Sequence, residues 1–251
     1  MQVVRNIGYV KQQQRRGRIL TALGFIALAF AFVLVWQKQF VTLIIASYGA
    51  MLIGFVVFNM GLQTVGKWSR KPRNDQQLDR ALTRLNDRYT LIHFADLGGR
   101  HPEHLLVHGA GVLVLTVREL PGAISVSGRK WRRGGNLLGR FFNYSGPQLG
   151  NPTLENDQDV ALVQEYLAAK ELPDHVEGVI VFIHPNVTVR VSDSPVPVVD
   201  LDGLPAFVRH LGQDEEPLTG KDRLAIVDAL RQGDELEETT LRGERRSRKA
   251  A

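Results

Sequence analysis

The sequence predicts a mixed α/β domain attached behind a hairpin of two membrane-spanning helices. Three observations lead there. Two long apolar runs near the N-terminus carry no charge, acidic residues are absent until Asp75 and common after it, and the remainder alternates between helical and strand periodicity.

The apolar runs are Ile19 to Trp36 and Phe40 to Leu62, parted by Gln37-Lys38-Gln39. As a helix the first extends roughly 27 Å, close to the thickness of a bilayer's hydrocarbon core, and the second is slightly longer. A buried hairpin of a soluble protein is the alternative, but it seldom leaves two successive runs of this length uncharged. Met1 to Asn74 holds ten cations (Arg5, Lys11, Arg15, Arg16, Arg18, Lys38, Lys67, Arg70, Lys71 and Arg73) and no Asp or Glu. Taking that +10 from the chain's formal +5 leaves −5 for Asp75 to Ala251, so the basic balance belongs to the anchor and not to a generally basic nucleic-acid-binding domain. Five cations precede the first run, four follow the second and Lys38 alone lies between, which assigns both flanks to the cytoplasmic side. Small residues on the two runs, Gly24, Ala27 and Ala31 on the first and Ala46, Ala50 and Gly54 on the second, permit close helix approach within the hairpin or between copies in a homo-oligomer. The chain has no cysteine, which excludes disulfides and thiolate chemistry. The resulting division is a basic N-terminus over 1–18, two spans over 19–36 and 40–62, a basic linker over 63–74, an α/β domain over 75–231 and a polar, disordered tail over 232–251.

In the domain, Leu78, Ala81, Leu82 and Leu85 recur at helical spacing behind Asp75, a candidate N-cap. Tyr89 to Ala95, His104 to Val107 and Val112 to Val117 are short strand-like runs, the last two joined by a glycine turn, and a further hairpin turns at Gly128. After a glycine-rich loop, Asn151-Pro152 opens a helix with Val160, Val163 and Leu167 on its buried stripe. Val176 to Ile183 is apolar enough for a central strand; Val187 to Val191 and Val196 to Val199 follow as strands, and short helices run from Asp202 and through Leu224 to Leu230.

This order, with the spellings DQQLDRALTRL, EHLLVHGAGVLVLTVRELPGAI, Trp131, NPTLE and VEGVIVFIHP, resembles the NERD (nuclease-related) domain, a largely bacterial module related to the restriction-endonuclease-like PD-(D/E)XK fold. The resemblance covers about Asp75 to Leu211. It implies a mixed-sheet nuclease fold, a protein of the bacterial inner membrane, and a site built from an acid near the first helix, an acid before the glycine turn and Glu-x-Lys after it. Such carboxylates hold Mg²⁺ or Mn²⁺ at the scissile phosphate while the lysine helps form the attacking hydroxide.

The matching positions here are Asp75, Glu103, Thr116 and Arg118. Thr116 is a poor ligand for a hard cation, and Arg118 stays protonated and cannot act as a base. The resemblance therefore implies a degenerate site that expects no cofactor. An active alternative would relocate the metal site to Asp75, Glu103 and Glu119, although strand alternation points Glu119 away from Thr116 and Arg118. Without a ligand, Arg118 reduces to a cross-strand ion pair with Glu103.

A basic, aromatic cluster of Arg129, Lys130, Trp131, Arg132 and Arg133, with Arg140, Phe141 and Phe142 beyond, offers phosphate contacts and base stacking. The plainer account makes Trp131 structural and leaves the cations solvated or facing anionic headgroups. His93, His104, His108, His184 and His210 lack metal-ligand spacing, so no zinc is expected. The implied partners are a bilayer and either nucleic acid or a protein; a purely structural membrane-associated domain is the third reading.

Overall fold

The structure, a computed structural model, describes residues 1–36, 41–134, 148–211 and 217–241. Lys38, the 135–147 stretch with Arg140, Phe141 and Phe142, and the tail from 242 lie outside the described residues. The chain divides into two compact units, one of residues 1–8 with the segments from Asn74 onward, the other of Tyr9–Arg73.

The second unit is helical. Helix α1 spans Ile7–Trp36 and α2 spans Val41–Ser69, so α2 continues through Lys67 into the stretch expected to be linker. Where the two helices pack, side chains are minimal: a Cβ on Gly24 would come within 2.4 Å of the Phe58 nitrogen, and one on Gly61 within 2.3 Å of the Thr21 nitrogen. Gly54 meets Ala27 and Leu28 in the same contact. The outer surface is apolar, with Phe25, Phe32, Ile45 and Leu52 each more than 60% exposed.

The first unit holds a seven-stranded mixed sheet in the order β10-β1-β2-β3-β4-β7-β9 and a three-stranded sheet, β6-β5-β8. Strands β2 (Thr90–His93), β3 (His104–Val107) and β4 (Val112–Arg118) form an antiparallel meander, because two short apolar runs joined by His108-Gly109-Ala110-Gly111 can pair with no crossover. Strand β7 (Val176–Phe182) lies parallel to β4, which needs a crossover, supplied by helix α4 (Pro152–Ala168). Asn151 caps that helix, its side-chain oxygen accepting from the Leu154 N–H at 3.2 Å, and Pro152 occupies the first turn. Strand β9 (Val198–Asp200) closes one edge. Helix α5 (Leu204–His210) follows Gly203 rather than Asp202, and α6 spans Gly220–Leu230.

Two strands occupy segments given no strand by the sequence. Gln2–Asn6 is β1, paired parallel to β2 and antiparallel to β10, which is Leu236–Thr240. The N-terminal segment is thus a sheet strand and not only a basic flank, and the tail is ordered at least to Thr240. Val3 and Val4 are buried on opposite faces of β1, a two-sided burial that five-residue stretches seldom reveal by pattern.

The sheet is covered on both faces. One core joins Leu78 and Leu82 of α3 (Asn74–Leu82) to Leu106, Leu113, Leu115 and Val117; the other joins Val163 and Leu167 of α4 to Leu105, Val107, Val112 and Val114. Because successive strand residues point to opposite sides, α3 and α4 lie on opposite faces of β3 and β4.

Candidate functional site

The residues matched to the nuclease positions divide between those two faces. Thr116 and Arg118 share the parity of Val114, on the α4 side, and Glu103 shares that of Leu105. Extending the pairing of Leu105 with Val114 sets Glu103 opposite Thr116. Asp75 belongs to α3 and the other face. It is not an N-cap but lies in the first turn of α3, fully buried against Arg5.

On the α3 face, Arg5 of β1 reaches three carboxylates: its Nε stands 2.6 Å from Asp75, one terminal nitrogen contacts Asp79 and the other is 3.3 Å from Glu237. Burial alone depresses the guanidinium, and the combined field of Asp79, Asp75 and Glu237 overcomes it, leaving the pKa above its ordinary value. Asp79 also accepts from His93 Nε2 at 3.0 Å, and His93 Nδ1 lies 2.8 Å from His104 Nδ1. A carboxylate can only accept, so His93 carries its proton on Nε2 and, when neutral, accepts from His104 through Nδ1. This network engages Asp75, the acid that the sequence resemblance matches to a metal-binding position.

On the α4 face, Asn156 is buried and donates its side-chain amide to Thr116 Oγ1 at 3.0 Å and to the Val114 carbonyl at 3.3 Å. It fits because β7 has glycine beneath it: a Cβ on Gly178 would overlap Asn156 Oδ1 at 1.8 Å. Arg118 donates from Nε to the Leu149 carbonyl at 3.2 Å and pairs through a terminal nitrogen with Glu155. Its ion-pair partner is therefore on α4, not the Glu103 expected across the hairpin. Asp159, one turn beyond Glu155, is pushed up to about 6, chiefly by burial and then by Glu103 and Glu155, against the opposing pull of Arg118 and Arg100. Glu119 is half-buried beyond the end of β4 and is absent from the charges that act on Asp159. Among the described residues, no three His, Asp or Glu side chains are grouped to hold one metal ion.

Residues 71–183 match the family model described as nuclease-related domain, NERD. The chain carries a NERD domain. No curated protein and no solved structure matches it.

Within the NERD domain the basic cluster sits on the second sheet, on strands β5 (Gly122–Ser127) and β6 (Lys130–Arg133). Arg129 is ion-paired with Asp157 at 2.6 Å. Trp131 donates to Thr153 Oγ1 at 2.8 Å and packs on Phe182 with ring centres 5.8 Å apart, so its ring faces the fold. Arg133 donates to the Pro121 carbonyl, while Lys130 and Arg132 alternate with these two and are exposed. The NERD residues that the sequence did not single out are Glu155, Asn156 and Asp159. Their one signal is a pair of acids one turn apart, Glu155 closing the matched spelling NPTLE and Asp159 four positions on.

Proposed function

We propose that this chain is a membrane-anchored NERD domain whose nuclease-like site is degenerate, so that it binds a nucleic acid or protein partner without cleaving it. One observation carries the reading: the position where the family places a metal-binding glutamate holds Thr116, locked in a neutral pair with buried Asn156. At position 116 itself a divalent cation would meet a hydroxyl and an amide in place of a second carboxylate beside Glu103, and the neighbouring Arg118 would add a repulsive charge. The relocated-ligand alternative gains nothing from Asp75, which lies across the sheet in the Arg5 network.

The anchoring half rests on two helices long and apolar enough to cross a bilayer, with large hydrophobic side chains turned outward. Strand β1 and strands that follow α2 belong to one sheet, which supports a reading with both flanks of the hairpin on one side, and their cations favour the cytoplasmic side.

Metal affinity tests the degenerate site. Mn²⁺ titrated into the full-length, detergent-solubilised chain and followed by its electron-spin signal should show no specific site at micromolar concentrations. A stoichiometric site lost with Glu103→Gln would overturn the reading.

A further inference from the structure

The three-stranded sheet has two faces of opposite character. Inward, Ile124, Trp131, Val187 and Val189 pack with Leu120, Phe182 and Val196. Outward, strand alternation presents Ser125 and Ser127 of β5, Lys130 and Arg132 of β6, and Thr188 and Arg190 of β8 (Val187–Asp193), all exposed. Register turns these into a pattern. Ser125 pairs with Arg132 on one side and Arg190 on the other, and Ser127 pairs with Lys130. At adjacent-strand spacing, the two arginines stand about 10 Å apart with a serine hydroxyl between them. A bulge after Val126 brings Asp193 opposite Ser127, so the acid lies at the Lys130 end and not in the Arg132–Ser125–Arg190 row.

Among the described residues, Arg132, Ser125 and Arg190 take part in no ion pair and in none of the apolar cores. The core uses the opposite parity, Arg129 and Arg133 are engaged elsewhere, and Arg190 lies nearly sixty positions from Arg132, brought beside it only by the parallel β5–β8 pairing. Guanidiniums and hydroxyls on a flat, exposed strand surface suit a run of phosphodiesters: arginine binds phosphate through two parallel N–H donors, and serine or threonine adds a neutral donor between charges. Trp131 faces inward, so among the described residues this surface has no aromatic platform of the kind base stacking requires. Among the described residues its outward positions carry no large apolar side chains of the kind that insert into a lipid surface.

We propose that the outer face of β6-β5-β8 binds the phosphate backbone of a nucleic acid without sequence preference, with Arg132 and Arg190 as the principal contacts and Ser125 between them. The inference rests on the reading of the chain as a non-cleaving binder and names its partner and surface.

The test uses the full-length chain in an uncharged detergent. Labelled DNA and RNA oligonucleotides, single-stranded and duplex, are titrated by fluorescence anisotropy across a salt series, and cleavage is read from the same samples on a gel with Mg²⁺. Binding is expected to weaken with salt. Arg132→Ser with Arg190→Ser should lower affinity at least about tenfold at low salt and reduce the log–log salt slope by about 1.4–1.8, the value for two phosphate contacts. Lys170→Ser should leave both unchanged, and circular dichroism melting confirms that each variant folds. Wild-type binding that the double variant retains would overturn the assignment of the face. So would an absence of binding, or capture by phosphatidylglycerol vesicles that depends on the two arginines while oligonucleotides go unbound. Cleavage would overturn the non-cleaving reading alone, leaving the arginine dependence of binding to decide the face.

Discussion

Asn156 on α4 donates its side-chain amide to the Thr116 hydroxyl on β4 at 3.0 Å, directly above Gly178 of β7. Three residues distant in sequence thereby meet at the position that the resemblance matches to a metal-binding carboxylate. The arrangement is self-consistent: the hydroxyl needs a donor, the buried amide needs acceptors, and the glycine supplies the room.

Gly178→Ala should therefore be costly, because the added methyl has no space beside Asn156. A loss of about 1–3 kcal/mol is expected for such overpacking, read as a lower midpoint in chemical denaturation. Asn156→Ala in the same background should recover part of the loss, since it removes the clashing amide. Equal, additive losses would show that the two side chains do not share the space.

Arg5 gives a second prediction. Its removal leaves Asp75 buried without its cation and Asp79 with His93 alone, so Arg5→Ala should destabilise the domain by about 3–5 kcal/mol, as expected for a broken buried ion pair. A fragment starting at Asp75 should fare worse, because it lacks β1 altogether and exposes the edges of β2 and β10. Refolding such a fragment to the stability of the full domain would contradict the strand assignment.

Asp159 predicts a pH dependence. Its carboxyl titrates near 6 in the fold and near 3.8 when unfolded, so the folded state binds the extra proton between those values. Stability contributed at this site is present at low pH and declines as pH rises through about 6. Asp159→Asn should then stabilise the fold at pH 7.5, by about 1 kcal/mol or less after screening of this part-exposed group, read as a higher melting temperature. The advantage should shrink steadily as pH is lowered toward 4. An advantage that grows on acidification would reverse the assigned direction.

Much of the α4 face was legible in the sequence. The strand-turn-strand spelling from Glu103 to Gly122 located the meander, and alternation alone puts Thr116 and Arg118 on one side, as β4 shows; the pairing of β3 with β4 adds Glu103 to them. Asn151-Pro152 likewise announced the start of α4. What escaped was long-range. No local pattern says which face of a sheet a helix will cover, so the sequence match sets Asp75 beside residues that lie on the other face of the sheet. Strands β1 and β10 escaped because each is short, carries charge and is specified by its partners more than by its own composition. Arg190 escaped for the same reason: only the register of β5 and β8 makes it a neighbour of Arg132.

Trp131 separates structural from binding roles within the basic cluster. Trp131→Phe removes the hydrogen bond to Thr153 but keeps a ring over Phe182, so a loss of about 1 kcal/mol in stability is expected with oligonucleotide affinity unchanged. A selective loss of single-strand binding at unchanged stability would instead make the indole a stacking platform.

The most direct measurement is strand cleavage by the full-length chain in detergent, with labelled single- and double-stranded DNA and RNA at low salt and either Mg²⁺ or Mn²⁺. The account predicts intact substrates at enzyme excess after prolonged incubation. Metal-dependent products that disappear with Glu103→Ala would contradict it, and would mean that the site around Thr116 and Asn156 gathers a metal despite its neutral pair.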